Sequence, residues 1–145
     1  MSRFVLDCSF SMGWCFEDER STLGETLLEK VKCKEMGGVV PSLWRLEIVN
    51  VIVVAERRKR ITTAESIHFL DLLLNLPVVV DESTPDLKDL LLLSRTYNLS
   101  AYDAVYLELA LREQIPLATL DKKLREAAEN ARIPLMDANF EIYTC

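Results

Sequence analysis

The chain has 145 residues, 50% of them hydrophobic and 28% charged, with a formal net charge of -6. That length buries a core without staples, and four glycines and five prolines are too few for a disordered or loop-rich scaffold. The acidic balance argues against a general cationic nucleic-acid binder, but not against a site where divalent ions bridge carboxylates to phosphate.

Cys8, Cys15, Cys33 and Cys145 form no C-x-x-C pair and His68 is the sole histidine, so a zinc site has little to draw on. Reduced thiols in the cytosol are the expectation. Asp7 interrupts the first apolar run before a signal peptide's length is reached, and no run approaches a membrane span. A cytoplasmic chain folded as a single domain over 1–145, with no membrane partner, is expected.

Phe4, Val5 and Leu6 form an apolar run without helical spacing that ends in Asp7-Cys8-Ser9. It reads as a short buried strand with a carboxylate and a hydroxyl at its C-terminal end, the edge where open α/β sheets do their chemistry. A helix follows directly after Ser9 and precedes the acidic Glu17-Asp18-Glu19. Leu23, Leu27, Leu28 and Val31 recur at helical spacing, which predicts a helix over 21–34, stopped by Gly37-Gly38. Val39-Val40-Pro41 is a very short strand. Ser42 is expected to cap a helix running to about Arg60 that is apolar over most of its circumference, so burial on more than one side is expected, by the sheet and by a second subunit.

Thr62 or Thr63 opens the next helix, which Leu76-Pro77 closes, and Val78-Val79-Val80 is a short strand. Pro85 is expected in the first turn of a helix over 86–97. Ser100-Ala101-Tyr102-Asp103 opens another. Residues 116–120 form a strand leading into a helix from Asp121 to Arg132, and Pro134-Leu135-Met136 is a last short strand. Short apolar strands alternating with helices predict a parallel sheet with helices on both faces, a three-layer α/β/α arrangement.

Four acids stand out by position: Asp7 at a strand end, Glu47 inside the apolar helix, Asp103 at a helix start and Asp121 just past a strand. Each has a structural alternative. Asp7 and Asp121 could be helix caps, and Ser100 with Asp103 could be a capping box. Glu47 is hardest to explain so, because no basic residue lies one turn away on its helix and burying a lone carboxylate costs roughly several kcal/mol. Right-handed crossovers place the strand C-termini on one edge, where these acids can converge. Carboxylates so gathered repel unless a divalent ion neutralises them, and Mg2+ or Mn2+ suits oxygen ligands.

Val5-Leu6-Asp7-Cys8-Ser9 with Trp14, Pro41-x-Leu43-Trp44-x-x-Glu47-x-x-Asn50-Val51, Leu99-Ser100-Ala101-Tyr102-Asp103-Ala104-x-Tyr106, and Thr119-Leu120-Asp121-Lys122-Lys123-Leu124 together resemble the PIN-domain ribonucleases, particularly VapC-type toxins of toxin–antitoxin pairs. The resemblance spans nearly the whole chain in the family's order. It implies that Asp7, Glu47, Asp103 and Asp121 are the catalytic acids and hold one or two Mg2+ or Mn2+ ions. Ser9 and Thr119 would support them, and Asn50 would serve a structural role. It further implies metal-dependent endonuclease action on RNA with a 5'-phosphate product, inhibition by a cognate antitoxin protein, and a homodimer. Cys8 stands where the family usually has a small residue.

Other readings remain open. A haloacid-dehalogenase-like phosphatase also begins with a strand ending in Asp, but needs a second Asp where Ser9 stands. A non-toxin RNA-processing nuclease would share the chemistry, and a non-catalytic interaction module would use the acids as caps. Arg57-Arg58-Lys59-Arg60 could contact phosphates, although cations at a helix C-terminus also meet the macrodipole. His68, Trp14 and Trp44 are read as packing or surface residues.

Overall fold

A computed structural model describes residues 1–136. The inference drawn on Cys145 lies outside them. Four strands, β1 (Ser2–Leu6), β2 (Met36–Pro41), β3 (Val78–Asp81) and β4 (Leu117–Ala118), form one parallel sheet in the order β3-β2-β1-β4. Val5 lies between Val39 and Leu117 in register, so the N-terminal strand is central. A parallel sheet needs cover on both faces, which is why β1 and β2 carry continuous apolar runs. Phe4, Val5 and Leu6 are fully buried, each worth roughly 1.5–3 kcal/mol of removal from water.

Helices α1 (Cys8–Cys15), α2 (Thr22–Lys32), α3 (Leu43–Arg57), α4 (Thr63–Leu74), α5 (Leu87–Tyr97), α6 (Ala101–Glu113) and α7 (Lys122–Asn130) flank the sheet in a three-layer α/β/α fold, as expected. The core includes both tryptophans, whose indole N–H groups find partners. Trp14 Nε1 donates to the Gly24 carbonyl at 2.8 Å, and Trp44 Nε1 donates to Ser11 Oγ at 3.1 Å.

Several local expectations change. Gly37 and Gly38 do not stop α2; they lie inside β2. The helix ends at Cys33 with Lys34 in the left-handed region, φ 61°, and the Glu35 amide donates back to the Lys30 carbonyl. The glycine at 38 serves packing, since a Cβ there would sit 3.3 Å from a Val78 methyl and 3.7 Å from Leu6. Ser42 precedes α3 in helical geometry and makes no side-chain cap bond. Pro85 falls just before α5 rather than in its first turn, and Asp86 caps that helix by accepting from the Lys88 amide at 2.7 Å. Thr62 forms a full capping box with Glu65.

The last predicted strand shrinks to a single parallel bridge between Leu117 and Leu135. Helix α3 buries Trp44, Ile48, Ile52 and Ala55 on one face only, while Leu46 stays 71% and Val49 52% exposed. Among the described residues no helix is long and apolar enough to cross a membrane.

Candidate active site

Because all four strands run parallel, their C-terminal ends share one edge, and the chain leaves β1 there through Asp7. The Asp7 amide donates to the Ala118 carbonyl at 3.0 Å, so the backbone that carries this carboxylate is sewn to the end of β4. Asp7 is 5% exposed and occupies the N-cap position of α1, yet its carboxylate makes no cap bond. Its oxygen Oδ2 accepts instead from the Ser9 and Thr119 hydroxyls, each at 2.6 Å. Those two hydroxyls lie 3.2 Å apart and each also accepts a backbone amide, Leu120 for Ser9 and Asp121 for Thr119. One knot of hydrogen bonds thus ties Asp7 to the segment entering α7.

Glu47 reaches the same region from α3. It is half-buried, and the Tyr106 hydroxyl of α6 donates to its Oε1 at 2.6 Å. Asp103 lies in the first turn of α6, where its amide donates to Ser100 Oγ at 3.2 Å. Among the described residues the reciprocal bond that would complete a capping box is not made. Asp121 does cap α7, its Oδ1 accepting the Leu124 amide at 2.9 Å, so the structural account holds for one of its two oxygens. Asn50 is exposed one turn beyond Glu47, and its side chain makes no hydrogen bond among the described residues.

The electrostatics show that the four acids share a field. Burial pushes the Asp7 carboxyl above its usual range, and Asp121 adds to this while the two hydroxyls oppose it. Glu47 is raised by burial and then by Asp7 and Asp103, against the Tyr106 bond. Asp103 is raised by burial, then by Asp121 and Asp7, against the Ser100 side chain and Lys123. Burial, Glu47 and Asp7 push the Cys8 thiol up to about 12, which keeps it protonated and out of the chemistry. Among the described residues none of the four carboxylates is in an ion pair.

Asp7, Glu47, Asp103 and Asp121 supply the donor type that a hard divalent cation takes. The donor set is all oxygen, no member is in an ion pair among the described residues, and Asp7, Glu47 and Asp103 are each raised in part by a neighbouring acid, an effect that a bound cation would reverse. Among the described residues no group of three or more His, Cys, Asp or Glu side chains is drawn together closely enough to hold a metal ion. No buried side-chain oxygen or nitrogen among the described residues lacks a partner, so the remaining carboxylate oxygens are not sealed orphans.

Tyr106 was missed as a site residue. The signal was its place one helical turn after Asp103, which puts both on one face of α6. His68 is exposed on α4 and lies on none of these contacts.

A parallel sheet with helices on both faces and acids gathered near its C-terminal edge defines the class: a three-layer α/β/α domain. Residues 5–130 match the family described as PIN domain, and the chain belongs to that family. PIN domains are generally nuclease folds, typically dependent on divalent metals. The solved structures include a similar one, the crystal structure of PAE2754 from Pyrobaculum aerophilum, at TM-score 0.66 and 20% identity, covering 87% of this chain and 86% of that one. At that identity the likeness speaks for the fold. A search of curated proteins gives no match.

Proposed function

We propose that this chain is a Mg2+- or Mn2+-dependent endoribonuclease acting as the VapC-type toxin of a toxin–antitoxin pair. The observation that carries the nuclease reading is the gathering of four carboxylates, from the end of β1, α3, α6 and the start of α7, of which Asp7, Glu47 and Asp103 are raised by burial and by neighbouring acids, with none of the four in an ion pair among the described residues. Asp7, Glu47, Asp103 and Asp121 would hold one or two ions. A bound ion supplies Lewis-acid polarisation of a phosphoryl oxygen and lowers the pKa of water.

The chain's own part is to hold its acids still. Ser9 and Thr119 fix one oxygen of Asp7, Tyr106 fixes one of Glu47, and the Leu124 amide fixes one of Asp121, leaving the remaining oxygens for the cleft. Water then forms its bond to phosphorus as the bond to the 3' oxygen breaks, and the products are a 5'-phosphate and a 3'-hydroxyl. The toxin assignment is supported by the four motifs in register, and it brings a cognate antitoxin as partner. The uncovered Leu46 and Val49 on α3 support a homodimer built on that helix.

The test is Mn2+-dependent cleavage of total RNA by purified, antitoxin-free protein, beside Asp7→Asn and Glu47→Gln prepared identically. The wild type is expected to cut discrete RNAs, EDTA to stop it, and both folded variants to lose it. Equal behaviour of all three proteins would return the acids to a structural role and favour a binding module.

A further inference from the structure

The basic run after α3 was explained by the helix macrodipole, and the structure separates its last member from the rest. Arg57, Arg58 and Lys59 are exposed and enter no ion pair among the described residues. Lys59 adopts φ 58°, and the amides of Lys59 and Arg60 donate back to the Glu56 and Ala55 carbonyls at 2.9 and 2.8 Å. That left-handed turn reverses the chain and aims Arg60 at α1 rather than along the helix axis. Its guanidinium carbon sits 3.8 Å from the centroid of the buried Phe16 ring. Its Nη2 donates to both oxygens of Asp18, at 2.8 and 2.9 Å, and lies 3.5 Å from a Glu19 oxygen.

Arg60 borders a cavity of about 340 Å3 that opens beside the acidic cleft. Ser9 and Asp121 form its cleft end, and Met12, Val51 and the half-exposed Leu120 supply apolar wall. The cavity is an open hollow rather than an enclosed one, with a volume near the lower end of small-molecule sites. It therefore joins one of the four site acids, Asp121, to an apolar wall suited to a base and a ring-braced guanidinium suited to phosphate.

We propose that this cavity seats the single-stranded RNA nucleotide adjoining the scissile phosphate, with Arg60 as the phosphate anchor that positions the strand; this rests on the nuclease reading above. A planar guanidinium fork binds carboxylate and phosphate with the same geometry, so Asp18 and Glu19 occupy Arg60 as stand-ins that an RNA phosphate displaces. Unstacked bases pack against apolar and aromatic side chains, which suits single-stranded RNA rather than a duplex.

The experiment is anisotropy of a short fluorescein-labelled single-stranded RNA of mixed sequence, with Ca2+ present, at several salt concentrations. Wild type, Arg60→Ala, Arg60→Lys and the double variant Asp18→Asn/Glu19→Gln are compared, each checked for folding by circular dichroism and for Mn2+-dependent cleavage. Arg60→Ala is expected to weaken binding about tenfold and to flatten the salt slope by about one. Arg60→Lys should keep the slope and lose part of the affinity. The acid-removing double variant keeps Arg60 on its ring and is expected to bind about threefold tighter.

Opposite signs from the two kinds of variant are what a merely structural latch cannot give, because breaking either side of a latch would weaken binding alike. Unchanged binding in Arg60→Ala, or weakening in both, overturns the inference while leaving a cleaving wild type as a nuclease. A wild type that neither binds nor cuts RNA overturns the nuclease reading, and the nucleotide seat with it.

Discussion

Two regions of the molecule gather acids, and they differ in company. Along α6, Arg112 donates to Asp81 at the end of β3 and to Glu108 at 2.9 Å, and lies 3.4 Å from Glu113, which also meets Arg3 at 3.1 Å. Burial works to raise the Asp81 carboxyl, but its bonds from Arg112 and Ser83 outweigh that and hold it below the ordinary range. In the cleft the same residue type goes the other way, with Asp7, Glu47 and Asp103 all raised. One cluster neutralises itself with arginine and so contributes to stability. The other is held in shape by hydroxyls and an amide, which orient carboxylates without neutralising them, and is left able to take up a cation.

Breaking that contrast is expected to show first in catalysis. Asp7→Asn should lower metal-dependent RNA cleavage about a thousandfold, several kcal/mol of transition-state stabilisation, with melting temperature held or raised. Single-turnover cleavage and a thermal melt on the same preparation check both halves. Addition of Mn2+ sharpens the contrast directly. At a concentration about a hundred times its dissociation constant it should stabilise the wild type by about 2.7 kcal/mol, and by clearly less in Glu47→Gln, as read by urea unfolding. Tyr106→Phe keeps the packing of α6 and removes only the donor to Glu47. It is expected to cut activity about tenfold through looser orientation of that carboxylate, measured as a fall in kcat with the affinity for Mn2+ reduced in parallel.

The cleft half of this contrast was legible in the sequence, and the arginine half was not. The apolar run ending in Asp7 and the unaccompanied Glu47 stood out because a carboxylate in an apolar setting demands a reason, whatever the fold. The parallel sheet followed from short Val- and Leu-rich runs separated by helices. What escaped were pairings that only folding creates. Tyr106 meets Glu47 across 59 positions, and Arg60 meets Asp18 across 42. No local spacing announces the Arg60 pairing, and for Tyr106 spacing announces only the face it shares with Asp103. Gly37-Gly38 misled for a different reason: a glycine pair serves equally as a helix stop and as the thin part of a crowded strand, and only the Val78 and Leu6 neighbours decide. The apolar circumference of α3 showed that it needs cover, but not that the chain itself covers only one face.

On the other side of the comparison, Arg112→Ala should cost about 1 kcal/mol of stability in urea unfolding and leave cleavage by the folded protein unchanged, because that network touches no cleft residue. A matching loss of activity would mean that α6 transmits strain to Asp103 and Tyr106, and the two clusters would no longer count as separate.

The smallest effect is the most diagnostic, because its sign differs between the clusters. A folded-state carboxyl raised above its ordinary value near 3.8, as for Asp7, keeps protons that the unfolded chain has already released. In metal-free buffer that group favours folding at acid pH, and the advantage is lost as pH climbs through the window above 3.8. Asn cannot titrate, so Asp7→Asn should gain stability relative to wild type from about pH 4 upward and then level off. Asp81 lies below its ordinary value, so its contribution is full above 3.8 and is lost as pH falls. Asp81→Asn should therefore do worse against wild type at neutral pH than at acid pH. Urea unfolding in EDTA at about pH 2.5, 4, 5.5 and 7 reads both differences, the Asp81 effect below pH 4 and the Asp7 effect above it. Opposite slopes confirm that arginine accounts for one cluster and leaves the other to a metal, whereas parallel slopes would mean that burial alone sets both.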